Sequence, residues 1–153
     1  MKNFSALFYL LNLSICLLTY TAGFTQNTNH ERKITHQIET FFKGLNAKDT
    51  IIIKSTLTKD VNLKSILIKG EEKQLVHEDI HQFLKQIARL SEDLLIREEI
   101  KHMEINLRFP LANVFTDYTF YINDEKSHSG VNLFNLAYLD GTWKIVNMVD
   151  TRE

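Results

Sequence analysis

The feature that most constrains this chain is a change of hydrophobic period. Ile34, Ile38, Phe41, Phe42 and Leu45 recur at helical spacing, which predicts an amphipathic helix of about four turns. Val61–Ile68 reads as a strand closed by the turn Lys69-Gly70-Glu71-Glu72. Ile80, Phe83, Leu84, Ile87 and Ala88 mark another amphipathic helix ending near Leu90. From Leu94 onward the period becomes two. Met103, Ile105, Leu107 and Phe109 alternate with polar residues, and Pro110 then marks a bulge or an edge position. Ala112–Ile122, His128–Leu139 and Thr142–Asp150 follow as strands, the first two joined by the turn Asn123–Lys126. Asp140-Gly141 predicts a tight hairpin, because both central residues of a type I′ turn need positive φ. Helices followed by a long antiparallel meander predict an α+β domain. Such a sheet curls around the helices and leaves a pocket between them.

One segment stays open at this level. "TIIIKSTL", Thr50–Leu57, follows Asp49, a good helix cap, yet its β-branched content equally suits a strand.

The 153 residues suffice for one compact domain. Formal net charge is −1 with no basic run, so no nucleic-acid partner is expected. Lys2 is the only charged residue before Glu31, and it is followed by the apolar run "FSALFYLLNLSICLL" and a small, polar exit. That order predicts a secretory signal over residues 1–25, cleaved between Thr25 and Gln26. The run is short for a spanning helix and is interrupted by Asn12 and Ser14. The expectation is a secreted or periplasmic protein, residues 26–153, with no stable membrane anchor after cleavage. Cys16 is the only cysteine and lies inside the apolar run, after Ile15 rather than a small residue. Lipid attachment is therefore not expected, and the mature chain must be held by its core without a disulfide.

Residues 77–81, His-Glu-Asp-Ile-His, match the H-E-x-x-H zinc signature, in which two histidines share a helix face and the glutamate activates a metal-bound water. Three features oppose that chemistry. Asp79 is placed to cap the following helix, which leaves His77 and Glu78 before it. The apolar stripe Val76, Ile80, Phe83, Leu84, Ile87 leaves both histidines at its flank. A third ligand is required, and Glu98 and Glu99 fall on a predicted strand with nothing to aim them. No metal site and no cofactor are expected.

Three stretches carry a resemblance to a known family: "FFKGLNAKDT" (41–50), "ANVFTDYTFYIN" (112–123) and "HSGVNLFNLAYLDGTWKIVNMVDTRE" (128–153). Their order resembles the nuclear transport factor 2-like, or SnoaL-like, superfamily, especially its small exported members of Bacteroidota-type bacteria. The pattern pairs an Ala-x-Val-x-x-x-Tyr strand with a His-x-Gly strand and an Asp-Gly-x-Trp-Lys-Ile hairpin. The resemblance covers roughly Glu31 to the C-terminus. It implies a cone-shaped α+β fold with N-terminal helices packed in a curved antiparallel sheet, a helix at Thr50–Leu57, and pairing of two copies through the outer sheet face. It says nothing of chemistry, because this fold hosts many functions. Isomerase relatives place a tyrosine near the first helix, where this chain has Phe41 and Phe42.

Candidate site residues follow from strand parity. His128, Asn132, Phe134 and Tyr138 share one face, and Asp117 and Tyr121 share a parity on the preceding strand. Asp117 orienting His128 would make a pair for proton transfer; alternatively His128 hydrogen-bonds the hairpin mouth. Arg152 either receives an anionic ligand at the pocket rim or forms an exposed ion pair with Asp150, contributing about 0–1 kcal/mol. Phe41, Tyr118, Tyr121, Phe134 and Tyr138 either line an aromatic pocket or serve as core and dimer face. Three functions are consistent with this: a binding protein for a small, partly apolar molecule without catalysis; an isomerase, cyclase or dehydratase with His128 as base; and a dimeric interaction module.

Overall fold

A computed structural model describes residues 27–153. The expected signal segment lies outside the described residues. Two units are distinguished, Met1–Lys33 and Ile34–Glu153. Helix α1 runs over 27–46, so its first turns belong to the former and its apolar stripe to the latter. Among the described residues no helix is long and apolar enough to cross a membrane.

The stripe on α1 is buried as its spacing requires: Ile34, Ile38, Phe41, Phe42 and Leu45 are all core residues. The helix ends in a turn at Lys48, whose φ is 55°. Asp49 then caps α2, Thr50–Thr56, its carboxylate accepting from the backbone N–H groups of Ile51 and Ile52 at 2.9 and 3.0 Å. Two satisfied donors at the cap favour helix over strand for this β-branched segment. Ile53 and Thr56 are its buried positions.

The remaining elements are β1 (Leu57–Lys69), β2 (Glu72–Glu78), α3 (Ile80–Arg89), β3 (Ile96–Arg108), β4 (Leu111–Ile122), β5 (Glu125–Leu139) and β6 (Thr142–Arg152). They form one six-stranded sheet in the order β2-β1-β6-β5-β4-β3. Neighbours are antiparallel except β1 and β6, which run parallel. Strands β3 to β6 are the expected antiparallel meander, and the parallel β1–β6 pair adds a neighbour that the hydrophobic period does not predict. A chain that leaves the sheet through α3 and returns by four long strands brings its last strand beside its first. The strand β2, which the hydrophobic period does not mark, pairs with β1 throughout, from Lys69↔Glu72 to Leu63↔Glu78. Pro110 is neither a bulge nor an edge residue. It occupies the tight turn between β3 and β4, where no ladder hydrogen bond is demanded of its missing N–H.

The two predicted hairpins have the backbone their residues suggest. Asp140 and Gly141 have φ of 48° and 83°, and Asn123 and Asp124 have φ of 51° and 64°. Trp143, directly after the first of these turns, is buried against Tyr138 and Phe109, with ring centroids 5.4 and 6.4 Å away. That cluster closes one end of the core. At its centre Phe41, Phe42 and Phe134 meet edge-to-face, with centroids 5.4–5.7 Å apart. Phe134 is wholly buried between the helix and the sheet, so Phe134→Ala is expected to destabilise the fold by about 3–5 kcal/mol in urea unfolding.

Candidate functional site

Beyond the Phe41–Phe134 contact the core opens into a cavity of about 210 Å³. Its apolar wall comes from α1 and α3, through Phe41, Leu45, Phe83 and Ile87. The sheet supplies the polar groups: Glu78, Glu98, Tyr118, His128, Asn132, Asp150 and Arg152. A small annexe of about 20 Å³ continues it towards Leu57 and Leu63.

Two register shifts bring three of these groups, Glu98, Asp150 and Arg152, inside. In β3, Ile100 pairs with Tyr118 and His102 with Asp117, so Lys101 is an extra residue. Alternation reverses there. Met103, Ile105 and Leu107 pack on the core on one side of the shift, while Ile100 and Glu98 face inward on the other. In β6, Asn147 pairs with Asn135 and Ile145 with Leu136, which makes Val146 the extra residue. Trp143 and Ile145 point inward before it, and Met148, Asp150 and Arg152 after it.

Glu98 is held from both sides. Its backbone N–H donates to Asn46 Oδ1 at 2.7 Å and its carbonyl accepts from Asn46 Nδ2 at 3.1 Å, which ties the start of β3 to the end of α1. The loop before it is held by Lys48, whose ammonium donates to the carbonyls of Ser91, Glu92 and Leu94. The Glu98 carboxyl accepts one hydrogen bond, from Asn132 Nδ2 at 2.9 Å, and Asn132 also donates to Thr116 Oγ1 at 3.2 Å. Burial raises its pKa to about 7 against the Asn132 hydrogen bond, with the Asp150 charge adding to the rise. Glu78 is also raised, chiefly by burial.

Arg152 sits between acids. Nε donates to Asp150 Oδ2 at 2.7 Å, one Nη to Ser65 Oγ at 3.0 Å, and the same nitrogen lies 3.9 Å from Glu78. Ser65 in turn donates to Asp150 Oδ1 at 2.5 Å. The pairing of β1 with β6 makes this possible, because it sets Ser65 opposite Asp150. The expectation of an exposed Asp150–Arg152 pair is corrected: Asp150 is only 4% exposed. The register shift in β6 turned it inward.

His128 lines the cavity, stacked on Phe120 with centroids 5.0 Å apart and edge-on to Tyr118 at 5.8 Å. Its Nδ1 lies 3.1 Å from Ser127 Oγ. Burial, and then the Arg152 charge, lower its pKa below the ordinary 6.5. The expected pairing with Asp117 does not occur. His128 is opposite Phe120, whereas Asp117 is opposite Val131, and the pleat sends Asp117 to the exposed face. Tyr121 also faces away from the cavity, its ring covered by Arg97 with the guanidinium carbon 4.1 Å from the centroid. Tyr138 is on the inner face but belongs to the Trp143 cluster rather than the cavity wall. Phe134 is core beneath the cavity. Phe41, Tyr118, Asn132 and Arg152 do line it.

Tyr118 donates its hydroxyl to the Thr151 carbonyl at 2.8 Å, and burial pushes its pKa up, so it stays protonated. The same carbonyl explains the glycine of the His-x-Gly pattern. A Cβ on Gly130 would stand 1.9 Å from the Thr151 oxygen, so only glycine lets the end of β6 cross there.

Sequence reasoning missed Glu98, Glu78 and Asp150 as cavity residues. A signal existed for Glu98: Ile96 and Ile100 share its even parity, whereas Met103, Ile105 and Leu107 are odd. The His-Glu-Asp-Ile-His stretch is divided as its capping aspartate implies. Asp79 Oδ1 accepts from the Gln82 N–H at 2.9 Å and starts α3. His77 and His81 are exposed, and Glu78 alone enters the cavity. Among the described residues no three metal-ligating side chains cluster.

The chain has a nuclear transport factor 2-like fold. It superposes on a nuclear transport factor 2-like protein of unknown function from Shewanella baltica with a TM-score of 0.62, 15% identity, and 82% of this chain and 95% of that chain covered. A candidate scytalone dehydratase from Novosphingobium aromaticivorans gives 0.65 at 13% identity, covering 83% and 86%. The β subunit of a candidate aromatic-ring-hydroxylating dioxygenase from the same organism gives 0.65 at 12% identity, covering 83% and 91%. No protein-family model matches the sequence, and no curated protein matches it.

The raised pKa of Glu98 makes stability depend on pH. In the unfolded chain the carboxyl loses its proton near 4.5, while in the folded protein it keeps it to about 7. Stability from this group therefore falls as pH rises between those values and is level above. Glu98→Gln keeps the oxygen that accepts from Asn132 and removes the titration. Urea unfolding is expected to show the variant close to the parent at pH 5 and about 2–3 kcal/mol more stable at pH 8.

Proposed function

We propose that this chain is an exported ligand-binding protein that holds a small, partly apolar molecule between α1, α3 and the sheet. The observation that carries the reading is the cavity: about 210 Å³, apolar but for Gln86 on its helical side and polar where Glu98, His128 and Asn132 converge on its sheet side. Polar groups placed against an apolar wall fix orientation and confer selectivity. The superposed proteins of unknown function support the fold of such a site and leave its ligand open. Export rests on the basic-apolar-small order of residues 1–25. Pairing of two copies through the outer sheet face is supported by the exposed Leu111, Phe115 and Val131 there.

Native mass spectrometry of the protein purified from its own host tests these together. The expected species is a dimer of chains beginning at Gln26, each retaining a small molecule. An Ile87→Trp variant, which fills the cavity, should lose that mass. A parent that is empty in every preparation rules out the binding reading.

A second reading is proton-transfer catalysis, favoured by one observation: Glu98 titrates near neutrality beside a cavity that also holds His128. The base is then Glu98 rather than a His128–Asp117 pair. Incubating the protein in D2O with its co-purified molecule should introduce deuterium, and Glu98→Gln should stop it. No incorporation with the parent protein returns the site to binding alone.

A further inference from the structure

The charges facing the cavity are unequal. Three carboxyl groups line it, Glu78, Glu98 and Asp150, against one guanidinium, Arg152. That guanidinium is already committed. It donates to Asp150 and Ser65 and approaches Glu78 to 3.9 Å. An anionic ligand would find no free cation there and would meet two further carboxyls. Asp150 is matched by its bonds to Arg152 and Ser65, whereas Glu98 has only a neutral amide. Its Oε1 accepts from Asn132, and Oε2 receives no hydrogen bond from any described residue. Phe41 and Phe83 form an aromatic wall on the helical side and Phe120 stands beside Glu98 on the sheet, and ring faces attract cations as carboxylates do.

We infer that the cavity selects a small organic cation, a protonated amine on a short apolar body, with the ammonium seated on Glu98 Oε2 and the body against Phe41, Phe83 and Phe120. The inference rests on the ligand-binding reading above and names the class of molecule for that same cavity. An ammonium supplies the donor that Glu98 Oε2 lacks and the charge that the acids leave unbalanced. A neutral analogue supplies at most the donor, and a carboxylate supplies neither.

The pairing carries a pH dependence whose sign is determined. An ammonium beside Glu98 favours the carboxylate, so binding expels the proton that Glu98 holds up to about pH 7. The other titratable or charged groups facing that space are Glu78 from β2, Tyr118 from β4, His128 from β5, and Asp150 and Arg152 from β6; α1 and α3 present uncharged side chains. Tyr118 and Arg152 keep their protons throughout, since both are shifted upward. His128, shifted downward, gains charge only at lower pH, which weakens cation binding in the same direction. Affinity for the amine should therefore rise as pH increases through neutrality and level off above it.

Isothermal titration calorimetry with three probes of one shape tests this: 2-phenylethylamine, 2-phenylethanol and 3-phenylpropanoate. The amine is expected to bind at least tenfold tighter than either counterpart at pH 8. Between pH 6 and pH 8 its affinity should increase about five- to tenfold, with a proton released at pH 6, as an ammonium that holds Glu98 ionised requires. Glu98→Gln should abolish most of that dependence and the amine preference while the alcohol still binds; the pH series on the parent protein needs no variant. Equal or tighter binding of the alcohol or the carboxylate overturns the cationic assignment and leaves the ligand-binding reading standing. Absence of binding by all three, in a protein that also co-purifies with nothing, overturns both.

Discussion

Strands β3 and β6 each cross from packed core to cavity wall through a single extra residue, Lys101 in one and Val146 in the other. Side chains alternate strictly along a strand, so one inserted residue exchanges the two faces for everything beyond it. On the near side of each shift the inward residues are apolar: Met103, Ile105 and Leu107 in β3, Trp143 and Ile145 in β6. On the far side they include Glu98, Asp150 and Arg152. Without the shifts those three would face solvent and Glu99, Val149 and Thr151 would face the helices. The cavity would lose two of its three acids, keeping only Glu78.

Keeping those acids inside is costly, and the surrounding bonds show how the cost is limited. Asp150 is matched by Arg152 and Ser65, the latter available only because β1 runs parallel to β6. Glu98 has a single neutral donor and responds by holding its proton to about pH 7. A group left in that state weakens the folded protein above neutrality, yet it is the one most ready to change charge when a cation or a transferable proton arrives. Asn46 makes the placement rigid. Its side-chain amide pairs with both backbone groups of Glu98, so the carboxyl is positioned by the end of α1 and not by a free strand end.

Much of the framework is legible in the amino-acid order. The helical stripe on α1, the cap at Asp49, the cap at Asp79 and the Asp140-Gly141 hairpin are local matters of period and hydrogen bonding, and each has the geometry its residues suggest. Parity put His128 and Asn132 on one sheet face and helical period put Phe41 on the inner stripe of α1, and all three line the cavity. Asp117 and Tyr121 were misjudged because parity within one strand does not say which parity of its neighbour shares that face. Only the register does, and it sets Phe120 rather than Asp117 beside His128.

By itself the sequence determined the α+β class, the helix caps, the tight turns and the main strands, because those depend on contacts within a few residues. It also determined that an odd-parity apolar run gives way to an even-parity one around Lys101. Tertiary structure alone decided that β6 lies parallel to β1, that Ser65 meets Asp150, and that Glu78, Glu98 and Arg152 face one cavity. These residues are separated by tens of positions in the chain, and pairing over such distances is selected by the packing of the whole sheet on the helices rather than by any local preference.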